Sequence, residues 1–361
     1  MYDFTLIMKL TYKPLILAGL ILGMSLLTPA CRKDEKKDDD VKVFSGTFNT
    51  GAPAYAFVGE ELTMYCGGLS KENGDTLVGY TWKISVDDVV DTVRSESDPA
   101  TRPAVKHYVV PDTLGAFRIT VSAFASGYSS SSAYSDIVFL KDTMDGRGSI
   151  TGIVIDPHAD FYQSDPRDGT SYLCRKTGDK VWMRQNLAFE GSRDNVLGVP
   201  YNNEPRLSKT FGRYYTWEEA VQVCPPDWRL PSEKELVELA SAVLPDAAEH
   251  CNFKDIAGDF MADARFNGER MWGYWPHDVT ITDRLGFSAL PCGTVQVTGS
   301  VNTFAHFGDY AAFWTSDKIE DAPEAVFRYV NSKSRDVFVE TGSTTKLRLN
   351  VRCVRDRKEG E

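Results

Sequence analysis

The sequence predicts a multidomain protein in which an all-β sandwich is followed by an α+β domain, behind an exported N-terminus. Three observations predict it. Over residues 41–141, short runs of β-branched and aromatic residues alternate with Gly, Asn, Asp and Pro clusters, with no amphipathic helical stretch. Over residues 148–356, strand-like runs bracket two strongly signalled helices. At 361 residues the chain has room for two domains that each bury a core. The net charge of −11 argues against nucleic acid as a partner, because phosphate binding needs a basic face.

Lys9 and Lys13 precede an apolar run, residues 15–27, that is too short to span a bilayer and ends in small residues. This is the pattern of a signal peptide over residues 1–30, and Met8 before Lys9 is an equally good start. Leu27-Thr28-Pro29-Ala30-Cys31 resembles a bacterial lipoprotein box, with Thr28 where that box usually has leucine. The resemblance implies that Cys31 is acylated and becomes the mature N-terminus; plain secretion with cleavage after Ala30 is the alternative. Every residue of 32–40 is charged, so residues 31–43 form a solvated tether. Lys33-Asp34-Glu35 resembles the signal that sends Bacteroidetes lipoproteins to the outer face of the outer membrane. That implies a surface-exposed protein whose membrane contact is the lipid anchor alone.

Residues 44–142 are assigned to the sandwich, with strand-like runs at 61–66, 79–84, 105–110, 117–123 and 137–140. Val58-Gly59-Glu60, Tyr80-Thr81-Trp82 and Leu114-Gly115-Ala116-Phe117 resemble, in that order, PKD-type immunoglobulin-like domains of bacterial surface proteins. Ser85-Val86-Asp87-Asp88 stands where those domains have a glycine-aspartate turn. The resemblance implies an immunoglobulin-like sandwich acting as a spacer, with Trp82 as the core tryptophan of a central strand. Cys66 has no cysteine partner within this domain and reads as a buried free thiol. Residues 126–135 read as a solvated hairpin.

A polar stretch at residues 142–148 marks the domain boundary, and the second domain spans residues 148–356. Strand-like residues 150–155 and the turn at 165–169 come first, and Thr177-Gly178-Asp179 predicts a hairpin. Thr216 with Glu219, and Ser232 with Glu235, each fit the capping box that opens a helix. Pro225-Pro226 stops the first helix; the second carries Leu236, Leu239, Ala240, Val243 and Leu244 on one face until Pro245. Phe253, Ile256, Ala257, Phe260, Met261 and Ala264 predict a third, weaker helix interrupted by Gly258. Strands return at 311–314, 326–330, 337–339 and 347–354.

Val181-Trp182-Met183 with Asn186-Leu187, Gly212 with Tyr214-Tyr215, and Cys224-Pro225 with Trp228-Arg229-Leu230-Pro231-Ser232 resemble successive motifs of the Fibrobacter succinogenes major paralogous domain. Gly286-Phe287-Ser288-Ala289-Leu290-Pro291 with Gly293, Phe313-Trp314-Thr315-Ser316, and Val351-Arg352-Cys353-Val354 complete the series. The resemblance covers more than half the chain and implies a C-type lectin-like fold. It also implies that fold's long-range disulfide, Cys224 to Cys353, stabilising by roughly 4–5 kcal/mol in the chain-entropy picture. Cys251 with Cys292 is the second expected bridge; Cys174–Cys251 and Cys174–Cys292 remain open, because connectivity does not follow from sequence.

Catalytic and metal chemistry find little support. Calcium-dependent lectins use a Glu-Pro-Asn or Gln-Pro-Asp triplet; here Glu204-Pro205-Arg206 lies before the first helix, and Trp314-Thr315-Ser316-Asp317 offers one carboxylate where calcium wants several. Formylglycine-generating oxidases share the fold but need a closely spaced cysteine pair, which Cys353 lacks. The five histidines are scattered, and His277-Asp278 and the stretch from His306 to Asp309 have no nucleophile beside them. No metal, cofactor or catalytic residue is expected. The aromatic residues of the stretch 271–276 fall in the loop region that is the binding face of the implied fold, and such rings stack on sugars and anchor protein interfaces. The candidate ligand-contacting residues are Arg270, Trp272, Tyr274, Trp275, His277, Asp278 and Trp314. The expected activity is non-catalytic binding or adhesion to a polysaccharide or host glycan. A protein-binding or structural subunit of a surface assembly is the alternative, and an enzyme acting on surface glycans the more remote one.

Overall fold

The computed structural model describes residues 41–74, 78–86, 89–93, 104–141, 150–272, 279–358 and 360, with side chains left out at 85–86, 89–93 and 104–106. The signal peptide, Cys31, the tether up to residue 40, the boundary at residues 142–148, and Tyr274, Trp275, His277 and Asp278 lie outside the described residues.

In the N-terminal part, five strands pair in the order Tyr55–Phe57, Ser131–Leu140, Gly115–Phe124, Gly79–Val86, Val89–Val93. Glu61–Cys66 and Ala104–Val109 form a second, two-stranded sheet. The sheets form because their sequences alternate. Leu62, Met64 and Cys66 are buried between exposed neighbours in one strand, and Phe117, Ile119, Val121 and Ala123 in another. These residues share one core with Trp82, which is fully buried with strands on both sides and donates its indole N–H to the Thr50 carbonyl at 3.3 Å. The free Cys66 thiol is buried in the same core, as its lack of a partner predicted. Residues 125–130 close the hairpin expected from the serine-rich stretch. One strand departs from the antiparallel expectation: Tyr55–Phe57 runs parallel to Ser131–Leu140. Its neighbour comes more than seventy residues later, so tertiary layout rather than a tight turn sets its direction.

The two parts share a core. Tyr55 and Leu140 pack in one cluster with Ile150, Tyr201, Leu207, Phe211 and Phe266. Arg206 spans the contact, donating to Glu60 at 3.2 Å, to Glu204 at 3.0 Å and to the Tyr55 carbonyl. Asn202 donates to the Tyr55 hydroxyl at 3.3 Å.

In the C-terminal part, Asp160–Ser164, Ser171–Thr177, Lys180–Met183 and Val354–Asp356 make a four-stranded antiparallel sheet. The last strand therefore pairs with an early one and closes this part on itself. The predicted hairpin turn is present, with Thr177 opposite Lys180 and Gly178 at φ +61°. Tyr310–Lys318, Glu324–Asn331 and Phe338–Ser343 form a three-stranded sheet, and Leu347–Arg348 adds to the hairpin Thr294–Thr298/Val301–Ala305.

Helices α1 (Ser208–Phe211), α2 (Trp217–Val223), α3 (Glu233–Ser241) and α4 (Ala257–Phe260) lie between these sheets in sequence. Both predicted capping boxes are formed, with the cap hydroxyls of Thr216 and Ser232 accepting from the backbone of Glu219 and Glu235. The helix predicted around residues 253–264 is reduced to the single turn α4. Gly258 explains why: a side chain there would sit 2.2 Å from the Thr280 carbonyl, so the chain is pressed against the 279–283 segment instead of continuing as a helix. The connector between α2 and α3 is tied to the last strand, since Arg229 and Val354 exchange backbone hydrogen bonds at 2.9 Å each way. Cys224 is bonded to Cys353 across 129 residues with Cα atoms 5.8 Å apart.

The second expected disulfide is not formed. Cys251 is free and exposed after a short 3-10 turn, whereas Cys292 is free and buried beneath Asn186, whose amide donates to its sulfur at 3.6 Å. One thiol lies at the surface and the other inside the core, and a bridge needs Cα atoms within about 7 Å. Cys174 is also buried and outside any disulfide, so neither alternative pairing occurs.

Candidate functional site

The structure sorts the sequence-predicted ligand residues. Trp272 is 2% exposed and belongs to the main core with Trp182, Leu236, Phe260 and Phe313, so it is an anchor rather than a contact residue. Trp314 is also removed from the ligand set: it is fully buried, and its indole N–H donates to the Tyr215 carbonyl at 2.9 Å. Both side chains carry more apolar area than any other residue type, and burying it outweighs presenting it. Arg270 is exposed, with its Nε 2.7 Å from the Asp263 carboxylate. That hydrogen bond holds the Asp263 carboxyl below its usual range.

Tyr274, Trp275, His277 and Asp278 lie outside the described residues, but both roots of their segment are defined. On one side the Met271 N–H donates to the Ala264 carbonyl at 3.0 Å. On the other, the Thr282 and Asp283 N–H groups converge on the Gly258 carbonyl at 2.9 and 3.1 Å. Asp259 just below receives Arg284 at 2.8 Å, and Thr282 also donates to it.

Between this region and the four-stranded sheet lies a buried polar network that sequence reasoning did not single out. Arg184 bridges Asp160 and Asp283, donates to the Ser288 hydroxyl at 3.0 Å, and is almost wholly buried. Arg175 holds the other Asp160 oxygen at 2.8 Å. Arg352, fully buried, donates to the Asn186 side chain at 2.9 Å and to the Ser288 carbonyl at 2.9 Å. Burial pushes the Asp283 carboxyl up, against the pull of Arg184 and Ser288. Two glycines make room: a side chain at Gly286 would meet Arg175 Cδ at 2.1 Å, and one at Gly212 would meet Asn186 Cβ at 2.3 Å. Both have positive φ, +63° and +74°. The visible signal was Arg184 in an otherwise apolar run, but its partners lie 24 and 99 residues away along the chain.

This network is structural in its chemistry. Arg175 and Arg184 are committed to Asp160 and Asp283, and losing one partner of such a set leaves an uncompensated buried charge. The Cys292 thiol is pushed up to about 12 by burial, so at neutral pH it is protonated and a poor nucleophile. The Tyr214 hydroxyl donates to the Cys292 carbonyl at 2.7 Å. Among the described residues, no group of three or more His, Cys, Asp or Glu side chains is arranged to hold a metal.

A different feature is a half-buried row of rings at the margin of the core. Tyr310, Tyr329 and Phe338, on three successive strands, stack with ring centroids 4.6 and 5.0 Å apart. Sequence reasoning missed this row because only strand register brings Tyr329 opposite Phe338. On the N-terminal part, a cleft of about 410 Å³ is lined by Thr47, Phe48, Asn49, Tyr65 and Cys66 among others. It is open and shallow, and the Cys66 thiol beside it is pushed up to about 12 by burial.

No curated protein matches the chain. Residues 176–355 match the family described as the Fibrobacter succinogenes major domain, a span that holds Arg184, Asn186, both linked cysteines, the capped helices and the aromatic row. Residues 176–355 therefore form a Fibrobacter succinogenes major domain.

Proposed function

We propose that this is a lipid-anchored, surface-exposed protein that binds a polysaccharide or glycan without catalysis, through the loop region of a C-type lectin-like module. Support for that fold comes from the closure of early strand on last strand and from the Cys224–Cys353 bond. An immunoglobulin-like reading of the first part is supported by its two sheets around Trp82. The observation that carries the functional reading is how firmly the described residues on either side of 273–278 are held. Trp272 is sunk in the core at one root, and paired N–H groups on the Gly258 carbonyl hold the other. Aromatic residues such as Tyr274 and Trp275, placed by sequence next to well-held neighbours, are the kind that favour recognition. The buried charges serve the scaffold and the buried thiol is inert, so neither supplies a reactive group. Lipid attachment at Cys31 and outer-membrane display rest on the N-terminal sequence.

The test is retention of the mature protein on insoluble polysaccharides. Retention is expected to survive a chelator and to weaken in Trp275→Ala; retention unchanged by that and every other 271–278 substitution would refute the loop assignment. A protein partner is the second reading, favoured by exposed Tyr65, Val109, Phe124 and Tyr134 on the sandwich. It predicts co-purification with a stoichiometric partner.

A further inference from the structure

The peptide bond between Asp156 and Pro157 lies in the turn that leads into the strand Asp160–Ser164. Bonds of this kind are the most acid-labile in a polypeptide. An aspartate carboxyl oxygen can close a five-membered ring on its own backbone carbonyl carbon, and proline makes that carbonyl part of a tertiary amide whose nitrogen leaves once protonated. The sequence has such bonds at Asp98-Pro99, Asp156-Pro157 and Asp165-Pro166, and the first lies outside the described residues. The other two have different surroundings. The Asp156 carbonyl accepts from the Asp160 N–H at 2.7 Å and from the Ala159 N–H at 3.2 Å, so two donors already face the oxygen on which negative charge would develop. The Asp156 N–H donates to the Asp160 carboxylate at 2.6 Å, the His158 N–H donates to Asp156 Oδ1 at 2.9 Å, and Arg175 stands 4.0 Å from Oδ2. The reacting residue is thus held at its backbone and at its carboxylate, which shortens the search for an attacking geometry. Its side chain is still 46% exposed, and Pro157 and His158 are exposed, so water and acid reach the bond. At Asp165 the carbonyl accepts from the Gly169 N–H at 2.8 Å, but the carboxylate is fully buried and gripped by Arg167 at 2.9 and 2.7 Å.

We propose that Asp156–Pro157 is an autoproteolytic bond, cut in mild acid by the Asp156 side chain itself. The carboxylate adds to its own carbonyl carbon, and the Ala159 and Asp160 N–H groups hold the oxyanion. The C–N bond to Pro157 then breaks as a proton from solvent passes to the proline nitrogen, which leaves as a secondary amine. Water opens the cyclic anhydride and restores two carboxyl groups, so the sum is hydrolysis, with no oxidant or cofactor consumed. The charged and titratable groups around the bond are His158 and Asp160 from its own segment, Arg175 from the neighbouring strand, and Arg184, which donates to the Val154 carbonyl at 2.9 Å and bridges Asp160 to Asp283. Scission would not part the molecule. Ile150 and Thr151 stay paired with Phe266 and Arg265, and Tyr55, Leu140 and Ile150 stay packed with Tyr201, Leu207 and Phe211. The Cys224–Cys353 bond lies wholly beyond the cut. The product is a nicked protein of two associated chains, the second beginning at Pro157 and carrying the whole family-matched span 176–355. None of this depends on what the protein binds.

The experiment incubates the mature full chain with protease inhibitors in mildly acidic and in mildly alkaline buffer, and follows chain ends by intact mass and N-terminal sequencing. A new N-terminus at Pro157 is expected in acid, while size-exclusion elution stays that of the uncut protein. The cut should form at least about tenfold faster in the native protein than in concentrated guanidinium at the same pH, a modest share of what two oxyanion donors contribute. Hydroxylamine should trap the anhydride as a hydroxamate on Asp156. Asp156→Glu, whose six-membered ring closes more slowly, and Pro157→Ala, which restores an ordinary amide, should both suppress the cut; near-UV circular dichroism checks that they fold. Absence of a Pro157 terminus overturns the proposal. So does cutting that is as fast in guanidinium, or as fast at Asp165-Pro166 in the native protein, since either is ordinary acid lability. Cutting that persists in Asp156→Glu, or that yields no hydroxamate, overturns it in favour of a protease.

Discussion

Replacing Cys224 and Cys353 together by alanine tests the organising bond of the C-terminal part. The bridge closes a loop of 129 residues, for which the chain-entropy relation gives about 5 kcal/mol at 25 °C. Cys353 is fully buried, so alanine is the right replacement; serine would bury an unsatisfied hydroxyl in the same place. Native hydrogen bonds from the connector to the last strand persist in the variant, since Arg229 and Val354 pair through their backbones. The measured loss should therefore come mainly from the unfolded chain, at about 3–5 kcal/mol. Guanidinium unfolding of wild type and variant, read by tryptophan fluorescence and far-UV circular dichroism, supplies the number. Thiol titration supplies an independent check. Unreduced, denatured protein should titrate four thiols besides Cys31: Cys66, Cys174, Cys251 and Cys292. In the native state only Cys251 should react quickly, because the other three are buried. A stability loss under about 1 kcal/mol, or a count of two thiols, would refute the reasoning.

Two further outcomes follow from the roots of the loop and from the buried network. Burial pushes the Asp259 carboxyl up, but hydrogen bonds from Arg284 and Thr282 prevail and hold it below its usual value. Its stabilisation is therefore complete above the unfolded pKa of about 3.9 and disappears as pH falls through the lower folded value. Asp259→Asn should cost about 1 kcal/mol at pH 6, since Arg284 is largely exposed, and the gap to wild type should close on acidification below about pH 3; a gap independent of pH would contradict it. Gly212→Ala should lower stability by at least about 2 kcal/mol, because alanine is strained at φ +74° and its methyl would collide with Asn186; thermal unfolding equal to wild type would be incompatible with that contact.

Much of the local structure was legible before any coordinates. Both capping boxes, the Gly178-Asp179 hairpin and the alternating strands around Trp82 depend on neighbours within a few residues, and all formed as read. The Cys224–Cys353 pairing came from family resemblance, and the same resemblance offered no guide to Cys251 and Cys292. Helix periodicity over residues 253–264 was misleading, because a continuous apolar face marks burial as well as helix, and close approach of Gly258 to Thr280 decided the matter. The candidate site fared less evenly. Trp272 and Trp314 stood out by residue type, and residue type does not say whether an indole faces solvent or core.

What the sequence by itself determined was local: where strands alternate, where helices begin, and which family the second part resembles. Those features rest on interactions of short reach along the chain, so they can be read from spacing. What only the tertiary structure decided was how distant pieces meet. Arg184 finds Asp160 and Asp283, Tyr310 finds Tyr329 and Phe338, and Arg206 ties the C-terminal part to Glu60 of the sandwich. Each meeting depends on strand register and on which side chains lose water, quantities set by the whole fold at once rather than by any one stretch of it.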